Sequence, residues 1–298
     1  MSPSVKYFFD PNTFTLTYVV WDAVSKDAVV IDPVLDFSPI KGRTDTVSAQ
    51  QVVDFAKQNG LTVHYSMETH AHADHLSAGP WLREQLGAKV AIGARITEVQ
   101  ETFKAILDLD HLATDGSQFD RLLAPDEVVR AGTLEIRAIP TPGHTPACMS
   151  FLIGDAVFTG DALFVEDFGT GRCDFPKGDS GCLYTSVHER LYKLPEATRV
   201  FVGHDYQPGG REVRAETTIG TSKEQNVQLT EATPREAFVS TRNARDSKLD
   251  PPRLLWPAIQ VNANGGLLPP ASNNGIRFFK TPMNLRRPTT DSGAPLPQ

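Results

Sequence analysis

Within six residues, His70-Ala71-His72-Ala73-Asp74-His75, the chain places three imidazoles and a carboxylate. Such groups offer one another mostly lone pairs and few apolar contacts, so gathering them without a cation is costly. They follow an apolar run at 61–67 that reads as a strand, and they precede a short helix expected around 77–86. Alternate side chains of an extended segment share a face, so His70, His72 and Asp74 can converge. His75 follows as the chain turns into the helix. Three more candidates stand directly after expected strands: His144 in Pro142-Gly143-His144-Thr145, Asp161 in Thr159-Gly160-Asp161, and His204 in Gly203-His204-Asp205-Tyr206. Gly and Pro around His144 fix a tight turn that presents the ring. Taken singly, His144 and His204 also read as core or surface histidines, and Asp161 as a turn cap. Beside the first cluster they become its natural partners in holding a metal.

The rest of the chain supplies a scaffold of strands and helices. Residues 14–21 and 28–32 are β-branched and aromatic and read as a hairpin. Residues 48–59 read as a helix, with Ser48 and Gln51 forming a capping box and Gly60 ending it. Strands are expected at 89–92, 134–139, 148–153, 156–159 and 199–202, and helices at 184–194 and over most of 211–246. Strands first and helices after, in both halves, suggest two sheets packed face to face with helices outside. Nine prolines in 250–298 argue for an irregular, surface-wrapping segment there. The domain reading is therefore a catalytic domain at 1–245 and a Pro-rich C-terminal extension at 246–298. A net charge of −7 without a Lys/Arg run argues against a nucleic-acid partner. No apolar run is long enough to cross a bilayer, and the N-terminus lacks a signal-peptide pattern, so no membrane association and a cytoplasmic setting are expected. Three cysteines, Cys148, Cys173 and Cys182, are too few for a disulfide framework.

The ordered set His70-x-His72-x-Asp74-His75, Pro-Gly-His144-Thr, Gly-Asp161 and Gly-His204 resembles the metallo-β-lactamase superfamily. Within it, the chain resembles the glyoxalase II branch and the persulfide dioxygenase family over roughly 5–245. The narrower likeness rests on Thr69 to Gly79, on Gly171-Arg172-Cys173-Asp174-Phe175, on Tyr184-x-Ser186-Val187-His188 and on His204-Asp205-Tyr206. The resemblance implies an α/β class αββα sandwich with the site at the mouth between two mixed sheets. It further implies one Fe(II) per chain, held by residues that match His70, His144 and Asp161. His72, Asp74, His75 and His204 would then lie behind those ligands. Two imidazoles and a carboxylate leave open positions for a sulfur and for dioxygen. Zinc, being redox-inert, could not serve. Every ligand of a two-metal hydrolase is also present, so the residues alone do not choose between the two.

The implied reaction converts glutathione persulfide, dioxygen and water to sulfite and glutathione, a step of sulfur metabolism and hydrogen sulfide detoxification. Arg172 could pair bidentately with a glutathione carboxylate, or with its neighbour Asp174. Tyr206 could donate its hydroxyl to the tripeptide, and Lys177 is a weaker candidate cation. Cys173 and Cys182 read as free thiols or as a redox pair. A homodimer is compatible with the sequence. The competing functions are a binuclear hydroxyacylglutathione hydrolase of the glyoxalase II type, a non-catalytic sulfide or redox sensor, and a β-lactamase. The intact ligand set argues against the sensor, and the missing signal peptide against the β-lactamase.

Overall fold

The computed structural model describes residues 2–285 and 289–296. Strands β1 (Ser4–Asp10), β2 (Thr15–Trp21), β3 (Asp27–Ile31), β6 (Thr62–Glu68), β8 (Lys89–Gly93) and β9 (Arg121–Leu123) form one sheet in that order. Its first three strands are antiparallel and the others parallel, so the sheet is mixed. Strands β10 (Val128–Ala131), β11 (Leu134–Pro140), β12 (Met149–Ile153), β13 (Ala156–Phe158), β14 (Arg199–Phe201) and β15 (Glu216–Thr218) form the second. A small third sheet joins β5 (Arg43–Asp45), β4 (Val34–Ser38) and β7 (Leu76–Ser77).

Strand β2 shows why the layers stack. Leu16, Tyr18 and Val20 point to one side and pack with Val29, Ile31 and Met67 against Ile136, Phe151, Ile153 and Phe158 of the second sheet. Val19 points the other way, onto Val52, Val53 and Ala56 of helix α1 (Val47–Gln58). A strand covered on both faces is apolar almost throughout instead of alternating, as its sequence TLTYVVW nearly is. The Tyr18 hydroxyl donates to the Val202 carbonyl at 2.6 Å and ties the two sheets together. Helices α2 (Gly79–Leu86) and α3 (Ile96–Leu107) complete one outer layer, and α4 (Ser180–Ser186), α5 (Ile219–Gln225) and α6 (Arg235–Asp246) contribute to the other. The class and the αββα layering expected from the sequence are those observed.

Several local expectations need correction. Ser48 does not cap α1: it lies inside the helix, and its N–H and hydroxyl donate to Asp36 at 2.8 and 2.7 Å. The expected helix at 184–194 starts earlier, at Ser180, where the Asp179 carboxylate accepts from the Cys182 N–H, and it passes into a π-helical turn at Val187–Leu191. Residues 211–246 are helical only in α5 and α6 and also contain strand β15. Strand β1 and helix α3 were not anticipated. Yet Ile96, Val99, Phe103 and Leu107 are buried at helical spacing, so α3 was legible. The Pro-rich segment is not all irregular. It contains helix α7 (Leu255–Asn262), whose Ala258, Ile259 and Val261 are fully buried.

Candidate metal centre

Asp32 directly follows β3 in left-handed backbone, φ +50°, a conformation that costs energy and persists only where its surroundings hold it. Its carboxylate accepts the Thr69 N–H at 2.7 Å and the Thr69 hydroxyl at 2.8 Å. That hydroxyl has one proton, already directed at Asp32, so towards the His70 Nδ1 3.0 Å away it can only accept. The proton of His70 therefore sits on Nδ1, and its Nε2 lone pair is free. Nε2 is buried and has no protein partner. Burial and the imidazoles of His72 and His144 hold the His70 pKa well below its usual value, so the ring is neutral.

His144 repeats the device with a different acceptor. Its Nδ1 lies 2.6 Å from the Arg172 carbonyl, which can only accept, so here too the proton is on Nδ1 and the lone pair on Nε2. The turn that places it needs Gly143. At φ +144° a Cβ would lie 2.4 Å from the Leu183 backbone. Asp161 follows β13 after Gly160, whose Cβ would strike the Thr69 side chain at 2.5 Å. One Asp161 oxygen lies 3.7 Å from His144 Nε2, and the other, buried and without a hydrogen-bond partner, lies 3.4 Å from His204 Nε2. Strand ends from both sheets thus bring one ligand atom each of His70, His144 and Asp161 within 4.8 Å of one another. Buried imidazole lone pairs and a carboxylate oxygen without protein partners are the surroundings a divalent cation requires. The donor set fits a metal.

His72, two residues from His70, does not join that trio. Residues 69–75 leave the strand and bend, so the strand alternation expected from the sequence does not apply there. The His72 Nε2 lies 3.0 Å from Asp32 and 3.5 Å from Glu68. Burial disfavours a charged ring, but these two carboxylates outweigh it and raise the His72 pKa well above its usual value. Asp74 lies 3.3 Å from His75 Nδ1 and 3.5 Å from His204 Nε2. Despite burial, the two imidazoles hold its carboxyl well below the usual range. One atom each of His72, Asp74 and His204 also lie within 4.8 Å of one another, and so do those of Asp32, Glu68 and His72.

A cavity of about 500 Å³ opens onto His144, Asp161 and Asp74. Phe103, Ile106, Phe175, Leu255 and Trp256 give it apolar walls. Tyr206 lines it and stacks on Phe168 at 4.7 Å and on His204 at 5.5 Å. Arg172 lines it too, but of its two sequence readings the structure has the ion pair. Its Nε and Nη2 grip Asp174 at 2.6 and 2.7 Å, and Nη1 donates to the Asp250 carbonyl at 2.8 Å. Lys177 does not line this cavity. Cys173 is buried, which pushes its thiol pKa up, Cys182 is exposed, and both are free thiols. Cys148 is buried in the apolar core, its pKa raised to about 12.

Asp32, Glu68 and Asn262 were not singled out from the sequence. Asp32 could have been, since it follows an apolar strand as Asp161 does. The Asn262 side chain bonds to Ser77, His72 and His75, residues 185 to 190 positions earlier, and no local pattern signals that.

Comparison with known proteins agrees with this geometry. The profile of the metallo-beta-lactamase superfamily matches residues 11–204. The chain belongs to that superfamily. Among its members, a probable metallo-hydrolase of Burkholderia pseudomallei is 44% identical to this chain over 94% of it and 99% of the relative. The mitochondrial persulfide dioxygenase ETHE1 of Bos taurus is 30% identical over 90% of this chain and 91% of its own. The crystal structure of ETHE1 from Myxococcus xanthus superimposes with a TM-score of 0.71 at 31% identity, covering 89% of this chain and 100% of that one. The superfamily fold is thus shared with a protein named as a probable hydrolase and with one named as a dioxygenase, and this chain adds its own His/Asp cluster fit for a metal. Among the described residues, no helix is long and apolar enough to cross a membrane.

Proposed function

We propose that this chain is a persulfide dioxygenase that oxidises the sulfane sulfur of glutathione persulfide, with His70, His144 and Asp161 holding one Fe(II). The balanced reaction takes persulfide, dioxygen and water to thiol, sulfite and two protons. The observation that carries the reading is how the imidazoles are aimed. His70 and His144 each commit Nδ1–H to an oxygen acceptor and keep the Nε2 lone pair beside Asp161, whereas His72, its Nε2 beside Asp32 and Glu68 and its Nδ1 unpartnered, does not join that trio. Iron, when bound, would supply the redox chemistry that dioxygen requires and that zinc lacks.

The remaining roles belong to the chain's own side chains. Phe103, Ile106, Phe175, Leu255 and Trp256 exclude water from the reacting sulfur. Tyr206, 38% exposed at the cavity, offers a hydroxyl to the substrate. Arg172 keeps one Nη1 N–H free of the bonds described above and can offer it to a carboxylate. Asp74, kept ionised by His75 and His204, holds a carboxylate on the same wall. Purified, iron-loaded protein given glutathione persulfide should consume oxygen and form sulfite. No oxygen uptake at full iron occupancy refutes the reading.

A second reading, a binuclear hydroxyacylglutathione hydrolase, is favoured by the His72–Asp74–His204 cluster and by likeness to a probable metallo-hydrolase. It requires two metals per chain and thioester cleavage without oxygen.

A further inference from the structure

We propose that Asn262, on helix α7, is a positioning residue of the metal centre. The carboxamide fixes the backbone of the loop that carries His70, His72 and His75. Its Oδ1 accepts the Ser77 N–H at 2.8 Å, and its Nδ2 donates to the carbonyls of His72 and His75, both at 2.8 Å. A carboxamide has one acceptor and two donors, and the two carbonyls can only accept, so this orientation uses every role at once. Asn262 is 4% exposed, so these bonds are made away from water, where leaving any of them unmade is costly.

The contacts close into a ring. Asn262 holds Ser77 through its backbone N–H, the Ser77 hydroxyl donates to Glu68, Glu68 lies 3.5 Å from the His72 ring, and the His72 carbonyl returns to Asn262. Residues 69–75 belong to no strand, so their backbone is held by groups from elsewhere in the fold: Asp32 and the Met149 N–H fix Thr69 at the start, and Asn262 fixes the carbonyls of His72 and His75. The helix that supplies the amide is itself firmly seated. Ile259 and Val261 are fully buried, and Gln260 exchanges two hydrogen bonds with the Lys280 backbone, at 2.9 and 3.0 Å. The other end of α7 provides Leu255 and Trp256 to the cavity wall. One helix of the C-terminal extension therefore braces the ligand loop at one end and walls the substrate cavity at the other.

The inference rests on the reading of His70, His144 and Asp161 as metal-holding residues, but not on the oxygen reaction. The test is Fe(II) affinity, measured without turnover by competition with a chelator, alongside thermal unfolding of the metal-free protein. Asn262→Leu keeps the approximate volume and removes all three bonds. It should weaken Fe(II) binding at least tenfold while the metal-free protein still melts cooperatively, in line with roughly 10–100-fold for lost outer partners of metal ligands. Ile259→Val, a packing change on the same helix, should leave Fe(II) affinity within twofold. If Asn262→Leu does not fold, Asn262→Ala, which leaves room for water, is read by the same criterion. Affinity of the Asn262 variant within twofold of the unmodified protein overturns the proposal, and so does an equal loss in Ile259→Val. Unmodified protein that binds no Fe(II) overturns the metal reading beneath it, whereas failure of the oxygen assay alone leaves it standing.

Discussion

Replacing Thr69 by valine tests the relay from Asp32 to His70 directly. The substitution keeps the branched shape and the Thr69 N–H bond to Asp32 at 2.7 Å, so the turn itself survives. It deletes one hydroxyl and with it two contacts, 2.8 Å to Asp32 and 3.0 Å to His70 Nδ1. Without that acceptor the imidazole proton is free to move to Nε2, where it blocks the lone pair offered to the metal. A buried donor left unpaired costs about 1–3 kcal/mol. Loss of an outer partner lowers metal affinity roughly 10–100-fold, which is about 1.4–2.8 kcal/mol at about 1.4 kcal/mol per tenfold. The two routes to the magnitude agree. Chelator competition for Fe(II) should therefore show a tenfold or greater loss in Thr69→Val and near-normal binding in Thr69→Ser, which keeps the hydroxyl. Unchanged affinity in the valine variant, or equal loss in both, would refute the tautomer argument.

His72→Ala should retain one iron per chain by elemental analysis, because His72 is not among the converging groups of His70, His144 and Asp161; loss of half of a two-metal complement would instead favour the hydrolase. Gly143→Ala should lower the melting temperature by several degrees and release the metal, because the new Cβ meets Leu183 backbone at 2.4 Å and the turn's φ of +144° is strained by about 1–3 kcal/mol for other residues. Asp27 makes a pH-dependent contribution far from the site. The His64 ring 2.7 Å away and the Thr133 N–H hold its carboxyl well below the usual range, so its stabilisation is complete above an unfolded value of about 3.9 and is lost as pH falls towards the folded one. Melting curves between pH 5 and pH 2 should accordingly fall more steeply for the unmodified protein than for Asp27→Asn, and parallel curves would count against that assignment.

Much of the scaffold can be read from local pattern because local physics decides it. The apolar run of β2 and β3, the strand ends before His70, Asp161 and His204, and the Gly-Pro turn around His144 all follow from side-chain periodicity and backbone preference. Helix α1 was legible for the same reason, but its capping box was not formed. Asp36, from a strand packed beside it, gave Ser48 a better partner than the helix's own N-terminus did. Proline density misled for 250–298 because it reports backbone freedom and not burial. Leu254, Ala258 and Val261 fill a gap beside Leu76, and Ile259 packs into the cluster of Ala71 and Ile96; both arrangements exist only in the folded chain.

The sequence alone determined which side chains could hold a metal and in what order the strand ends would deliver them, since residue type and periodicity are local properties. Tertiary structure alone decided how those groups divide. His70, His144 and Asp161 come together, Asp32 and Glu68 take the Nε2 side of His72, Asp174 takes Arg172, and Asn262 reaches the ligand loop. Each of these outcomes is a competition between hydrogen-bond partners that are mostly distant along the chain. Such a competition is settled only when folding brings the rivals within about 3 Å and excludes the water that would otherwise serve them all.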